Sequence, residues 1–213
     1  MDRERSWQAI TAERLVLADL LDGLSGAQWE APSLCAGWRV RDVAAHVALA
    51  PQVPGPVSML AAAVRARGSF HRLNHDVAVR HAEGRPARAL VDELRTHAAS
   101  RRLPAVTDHR NILFDVLVHV QDVAVPLGLE REMPRDAAAA GVDRVWTMGW
   151  PFRARRRLRG VRLVATDTPW SAGAGAEVRG PVAALLLLLT GRTAVALPRL
   201  DGPGLASLDG RRV

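Results

Sequence analysis

The chain has 213 residues, 48% hydrophobic and 24% charged, the balance of a globular protein with room for one sizeable core or one domain plus a small appendage. No apolar run approaches the roughly 18 residues of a membrane span, since the longest, Val182 to Leu189, has eight. The formal charge is +7 and all 29 basic residues are arginine. Apart from Arg153–Arg159 they are scattered, aromatics are few and no nucleic-acid motif appears, which argues against a nucleic-acid partner. An anionic small ligand or a solvated surface accounts for the charge equally well. Cys35 is the only cysteine, so no internal disulfide can form, and this suits a reducing compartment. Met1-Asp-Arg-Glu-Arg opens a charged helix and not a signal peptide, so a cytoplasmic protein without a membrane partner is expected.

Trp7, Ile10, Leu17, Leu20, Leu21 and Leu24 recur at helical spacing and predict a first helix from about Asp2 to Leu24. A loop from Trp29 to Trp38 leads to a second helix, Val40 to Leu49, with Asp42 in its first turn and Pro51, Pro54 and Pro56 ending it. A third helical stretch covers about Val57 to Ala82, with a break near Gly68. Ala87 to Arg101 is a short amphipathic helix, followed by Pro104. The next helix begins near Asp108 and ends at Pro126 and Gly128, and Pro134 to Trp150 forms another. The pattern then changes. Gly160 to Asp167 alternates like a strand, a short strand is expected near Ala176 to Arg179, Pro181 opens an apolar helix, and Thr193 to Leu197 reads as a last strand. The expected organisation is a helical bundle over residues 1–150 and a small α+β domain over 155–213.

The helix from Asn111 to Asp122 is apolar almost all round, as buried helices are. One stripe breaks the pattern. Asn111, Asp115, His119 and Asp122 are spaced by four, four and three and so share a face. A carboxylate and an imidazole in a core are costly unless satisfied. Asp115 and His119 can converge on one ion, and His46 on the second helix can supply a third ligand, leaving positions open as in catalytic zinc sites. Asp122 and Asn111 can orient the ligands. The same residues allow a plainer reading, in which His119 is a core histidine bonded to Asp115 and His46 pairs with Asp42.

Ser33-Leu-Cys-Ala-Gly-Trp-Arg-Val-Arg-Asp-Val-Ala-Ala-His46, taken with Asp115-Val-Leu-Val-His119-Val-Gln-Asp-Val-Ala-Val-Pro-Leu-Gly128, resembles the mycothiol-dependent maleylpyruvate isomerase family, a branch of the DinB-like four-helix metalloproteins. Ala165-Thr-Asp167, Trp170 and the leucine-rich stretch ending in Gly191-Arg192 are similar to the family's C-terminal domain. The resemblance implies a mainly α fold, a DinB-like four-helix bundle with a small α+β C-terminal domain. It places the family's zinc ligands on His46, Asp115 and His119. The isomerase itself is expected to have glutamate where this chain has Asp115, so the ion would sit closer to the helix or be held more weakly. The family's functional arginine falls on Arg192, the expected catalytic and cofactor-binding residue, which would hold a substrate carboxylate.

The cofactors implied are Zn2+ or another divalent metal and the thiol mycothiol. The partners implied are that small-molecule thiol and a small electrophilic substrate. The reaction implied is isomerisation by thiolate addition to a cis-alkene, rotation and elimination, or S-transfer to an electrophile. The rival readings are a non-catalytic metal-binding protein of the same fold and an arginine-rich nucleic-acid-associated regulator. His71 and His75, also four apart in a polar segment, are expected to be exposed. Cys35 is expected to be a small buried residue beside Trp38, and Arg153–Arg159 a solvated linker.

Overall fold

The computed structural model describes residues 1–52, 69–103 and 107–208. The chain is mainly α and adopts the expected class, a helical bundle of the four-helix type together with a small α+β part. Two compact units are distinguished: residues 2–112 with 119–131, and residues 113–118 with those from 132 onward.

The first unit contains α1 (Arg3–Asp22), α2 (Gly26–Trp29), α3 (Val40–Leu49), α4 (Phe70–Glu83), α5 (Ala87–His97) and the two ends of α6 (His109–Ala124). Asp2 caps α1 by accepting the Arg5 amide at 2.8 Å. The predicted apolar face of α1 is buried at Trp7, Ile10, Leu17 and Leu21. On the same helix the buried Arg14 donates from Nη1 to the carbonyls of Ala98 at 3.1 Å and Ser100 at 2.9 Å, a cation placed against the C-terminal end of α5.

Helix α3 has the predicted bounds. Its first turn is fixed by Asp42, whose Oδ2 accepts the Arg39 amide at 2.9 Å and Arg39 Nε at 3.0 Å, while Oδ1 accepts Nη2 at 2.9 Å. Both oxygens of Asp42 are thereby engaged by Arg39. The far end of α3 is tied to α4 and α5 through Glu93. This carboxylate accepts Gln52 Nε2 at 2.9 Å and Arg85 Nε at 2.7 Å and pairs with His81 Nε2 at 2.7 Å. Burial works to raise the Glu93 pKa, but the bonds from His81 and Gln52 and the Arg85 cation leave it below the usual value. Of the expected third helical stretch, Phe70 onward is helical, whereas the part before it, with Gly68, lies outside the described residues, as do Pro54, Pro56 and Pro104.

Helix α6 begins where Asp108 accepts the amides of Arg110 at 2.9 Å and Asn111 at 3.0 Å. It ends in a 3-10 turn, Val125–Leu127, closed by Gly128 at φ 67°, a left-handed position that glycine takes at no steric cost.

The second unit holds the middle of α6, α7 (Arg135–Thr147), α8 (Ala154–Arg157), a sheet of β1 (Gly160–Ala165), β2 (Ser171–Gly173) and β3 (Gly175–Gly180), then α9 (Val182–Leu189) and α10 (Thr193–Ala196). Strand order is β2-β1-β3, with β1 antiparallel to β2 and parallel to β3. In α9 every leucine is buried, which explains an apolar surface all round, and Asp167 Oδ1 accepts the Val182 amide at 2.9 Å at its start. Gly141 of α7 leaves room for Leu186, with 3.0 Å between an added Cβ and the leucine side chain.

Two expectations are corrected here. Thr193 to Leu197 is not a strand: α10 and a 3-10 turn, Leu197–Arg199, occupy it. The amides of Val195 and Ala196 are taken by the Arg192 carbonyl, and the neighbour of β3 is Asp201, which exchanges backbone bonds with Arg179 at 2.7 and 2.8 Å. The arginine-rich segment is not a wholly solvated linker either. Ala154 and Leu158 are buried, and half-buried Arg157 donates to the Leu189 carbonyl at 2.7 Å.

Glu13 lies on the buried face of α1, 6% exposed. Burial pushes its carboxyl above the ordinary range, and the charge of Arg131 opposes this in part. A raised folded pKa contributes stability that is fully present below the unfolded value and lost as pH rises through the folded one. Glu13→Gln is therefore expected to melt higher than the parent at about pH 8, with the difference shrinking toward about pH 4. Thermal denaturation at both pH values checks this, and a difference that does not depend on pH would rule out the charge as its origin.

Candidate metal centre

The site is built on α3, α6 and the loop between α2 and α3. The loop closes on itself. Ser33 donates from its amide to the Trp38 carbonyl at 2.9 Å and from its hydroxyl to the same oxygen at 3.0 Å. Its hydroxyl also accepts the Cys35 amide at 3.1 Å, and the Trp38 amide donates to the Cys35 carbonyl at 2.9 Å. Gly37 sits at φ 79°, where a residue with a Cβ would be strained.

This loop docks on α6 through Asp122. The Leu34 amide donates to the Asp122 carbonyl at 3.1 Å, and Cys35 Sγ donates to Asp122 Oδ2 at 3.0 Å. The same carboxylate oxygen pairs with His119 Nδ1 at 2.8 Å. Asp122 is fully buried and His119 is 8% exposed. An ionised carboxylate only accepts, so Nδ1 carries the proton and Nε2 is the nitrogen left with a lone pair.

Around that ring the other aromatic groups gather. Trp38 lies nearly parallel to His119, at 17° with centroids 6.4 Å apart, and meets His46 edge-on at 5.5 Å and His75 edge-on at 6.0 Å. His46 and His119 face each other in a T at 4.9 Å. Among the described residues two groups of three side chains bring ligand atoms within 4.8 Å of one another: His46 with Asp115 and His119, and Cys35 with His119 and Asp122. The first is the set named from the sequence. Two imidazoles and a carboxylate fit zinc or a similar divalent ion and leave positions open.

Both Asp42 oxygens are engaged by Arg39, and the His46 ring packs against Trp38 and His119. Asn111, at the start of the polar stripe, donates from Nδ2 to Thr107 Oγ1 at 3.0 Å. His71 is exposed as expected, but His75 is half-buried and bonded to Asp76 at 3.1 Å; beyond them His81 pairs with Glu93. Arg192 is half-buried at the end of α9 and donates to the Thr190 carbonyl at 2.7 Å. Sequence spacing missed Trp38, which touches three imidazoles, and the contact of Cys35 with Asp122. Cys35 is half-buried.

The family profile described as the mycothiol maleylpyruvate isomerase N-terminal domain matches residues 10–112, a span that includes His46 and stops short of Asp115 and His119. The fold is similar to a crystal structure of the mycothiol-dependent maleylpyruvate isomerase, at TM-score 0.63 and 16% identity, covering 95% of this chain and 93% of that one. A histidine-to-alanine mutant of the same isomerase matches at TM-score 0.63 and 14% identity, with the same coverage. No curated protein matches the sequence. Residues 10–112 thus match the N-terminal domain of the mycothiol maleylpyruvate isomerase family, and the whole chain shares the fold of that isomerase.

Proposed function

We propose that this protein is a zinc-dependent enzyme that uses mycothiol to isomerise a small anionic electrophile, in the manner of a maleylpyruvate isomerase, or transfers the thiol to it through sulfur. The observation that carries the reading is the convergence of His46, Asp115 and His119 within 4.8 Å, in a chain with that family's N-terminal domain. A divalent ion bound there supplies the positive charge that keeps a cofactor thiol in its reactive thiolate form. His46 Nε2 or Nδ1, an Asp115 oxygen and His119 Nε2 would hold it. Asp122 fixes the tautomer and tilt of His119 by taking the Nδ1 proton in a hydrogen bond at 2.8 Å. Trp38 lies nearly parallel to His119 and crosses His46 in a T, a packing that would limit rotation of both rings. Arg192 is proposed to bind the carboxylate of the electrophile as a bidentate partner. No described helix is long and apolar enough to cross a membrane, and we place the protein in the cytoplasm, where a single free thiol stays reduced.

Protein purified without an affinity tag is expected to carry about one divalent ion per chain, mainly zinc. His46→Ala and His119→Ala should each empty the site, Asp122→Asn should weaken affinity by about 10–100-fold, and His71→Ala should change nothing. Elemental analysis of the four variants decides this. Loss of metal in His71→Ala with retention in His119→Ala would move the site to α4.

Asp115→Glu is expected to keep the ion, since the carboxylate remains, and Asp115→Asn to weaken binding by removing the negative charge. Zinc titration against a chelator measures both. Equal affinity for aspartate and asparagine would take Asp115 out of the ligand set.

Calorimetry of mycothiol should show tighter binding to the metal-loaded protein than to chelated protein. Turnover of a maleylpyruvate-like substrate should need both metal and thiol, and Arg192→Ala should lower turnover while leaving metal content intact. Thiol binding that ignores the metal would end this mechanism. Metal and thiol binding without turnover of any electrophile would favour a non-catalytic member of the fold.

A further inference from the structure

We propose that Cys35, Asp122 and Nδ1 of His119 form a second metal-binding set, for a thiophilic cation, that competes with the His46, Asp115 and His119 set for the same imidazole. The three atoms make a triangle with sides of 2.8 Å between Nδ1 and Asp122 Oδ2, 3.0 Å between Oδ2 and Cys35 Sγ, and 4.0 Å between Sγ and Nδ1. A tetrahedral ion with zinc-like bonds of about 2.0–2.3 Å needs ligand atoms roughly 3.3–3.6 Å apart. The observed triangle averages close to that, and shifts of about half an ångström bring each side into range. The ligands are also held in place. Cys35 belongs to the loop closed by Ser33 and Trp38, and the Leu34 amide is bonded to the Asp122 backbone. Asp122 and His119 are buried, while Cys35 is half-exposed and gives an ion a way in.

Donor chemistry separates the two sets. Two imidazoles and a carboxylate suit zinc, whereas a thiolate selects softer ions such as cadmium. Loading the second set exchanges the thiol proton for the ion. The S–H bond breaks, the proton leaves to solvent and an S–metal bond forms with the sulfur's electron pair. His119 then ligates through Nδ1 and carries its one proton on Nε2. That is the opposite tautomer from the one needed for the first set, where Nδ1–H is bonded to Asp122 and Nε2 ligates. Filling both sets at once would strip the imidazole of both protons. The two sets therefore exclude each other, and a soft cation withdraws His119 from the first.

The competition rests on the metal site proposed above, whereas the cysteine set itself does not. The test uses the full chain, freed of metal, with cadmium and zinc as probes. Cadmium is expected to raise an ultraviolet thiolate-to-metal charge-transfer band that saturates at about one ion per chain. Cys35→Ser should abolish the band while keeping zinc affinity and the helical circular dichroism of the parent. His46→Ala and Asp115→Asn should keep the band although the first loses zinc and the second binds it more weakly. Preloaded cadmium should weaken apparent zinc affinity by roughly tenfold or more. A band that survives in Cys35→Ser, or no band in the parent, overturns the cysteine set. Zinc and cadmium bound together without mutual loss overturns the exclusion. A cadmium band in a protein that never binds zinc would leave the cysteine set standing and remove the catalytic one.

Discussion

The bond from His119 to Asp122 is the interaction on which the site depends. A buried carboxylate costs several kcal/mol unless donors compensate it, and Asp122 is fully buried. Its Oδ2 has two partners, the imidazole at 2.8 Å and the Cys35 thiol at 3.0 Å, and its carbonyl takes the Leu34 amide. One residue thereby sets the tautomer of His119, anchors the loop that precedes α3 and, through that loop, carries Trp38 to the histidines. Removing the carboxylate would free all three together, so its effect should reach beyond a single hydrogen bond.

Trp38 turns this anchoring into a shaped wall. Its indole lies against His119 and meets the edges of His46 and His75, all within the 4.5–7 Å separation at which aromatic rings interact favourably. Rings packed on each other lose rotational freedom before any ion arrives, so less ordering remains to be done on binding. The turn from Ser33 to Trp38 makes this possible. Gly37, at φ 79°, gives the left-handed turn that brings the Trp38 amide back to the Cys35 carbonyl.

The sequence was most legible where local rules and burial agree. Helix α3 follows from its valine and alanine stripe, the start of α6 from the Asp108 cap, and α9 from proline followed by an unbroken apolar run. It was least legible where partners lie far along the chain. Thr193 to Leu197 has the β-branched composition of a strand, yet β3 finds its neighbour in Asp201, and the unclaimed segment coils locally. Strand β2, with Ser171, Ala172 and Gly173, has no strand signature and exists because β1 offers it backbone partners. At the site, the spacing of Asp115, His119 and Asp122 was readable as one helix face. The thiol contact was not, because Cys35 and Asp122 are 87 positions apart.

His119 stands between two acids on one helix, Asp115 four residues before it and Asp122 three after. Sequence alone cannot say which acid is ligand and which is positioner, since both spacings suit either role. Burial separates them. Asp122 is sealed, and its Oδ2 meets both the His119 ring and the Cys35 thiol, a placing that suits the proposed orienting role. Asp115 is half-buried and brings a ligand atom within 4.8 Å of His46 and His119. An ion that exchanged ligands with a thiol would need a side reached by solvent, and the half-buried acid offers it. The division of labour proposed for two chemically identical side chains thus rests on their depth.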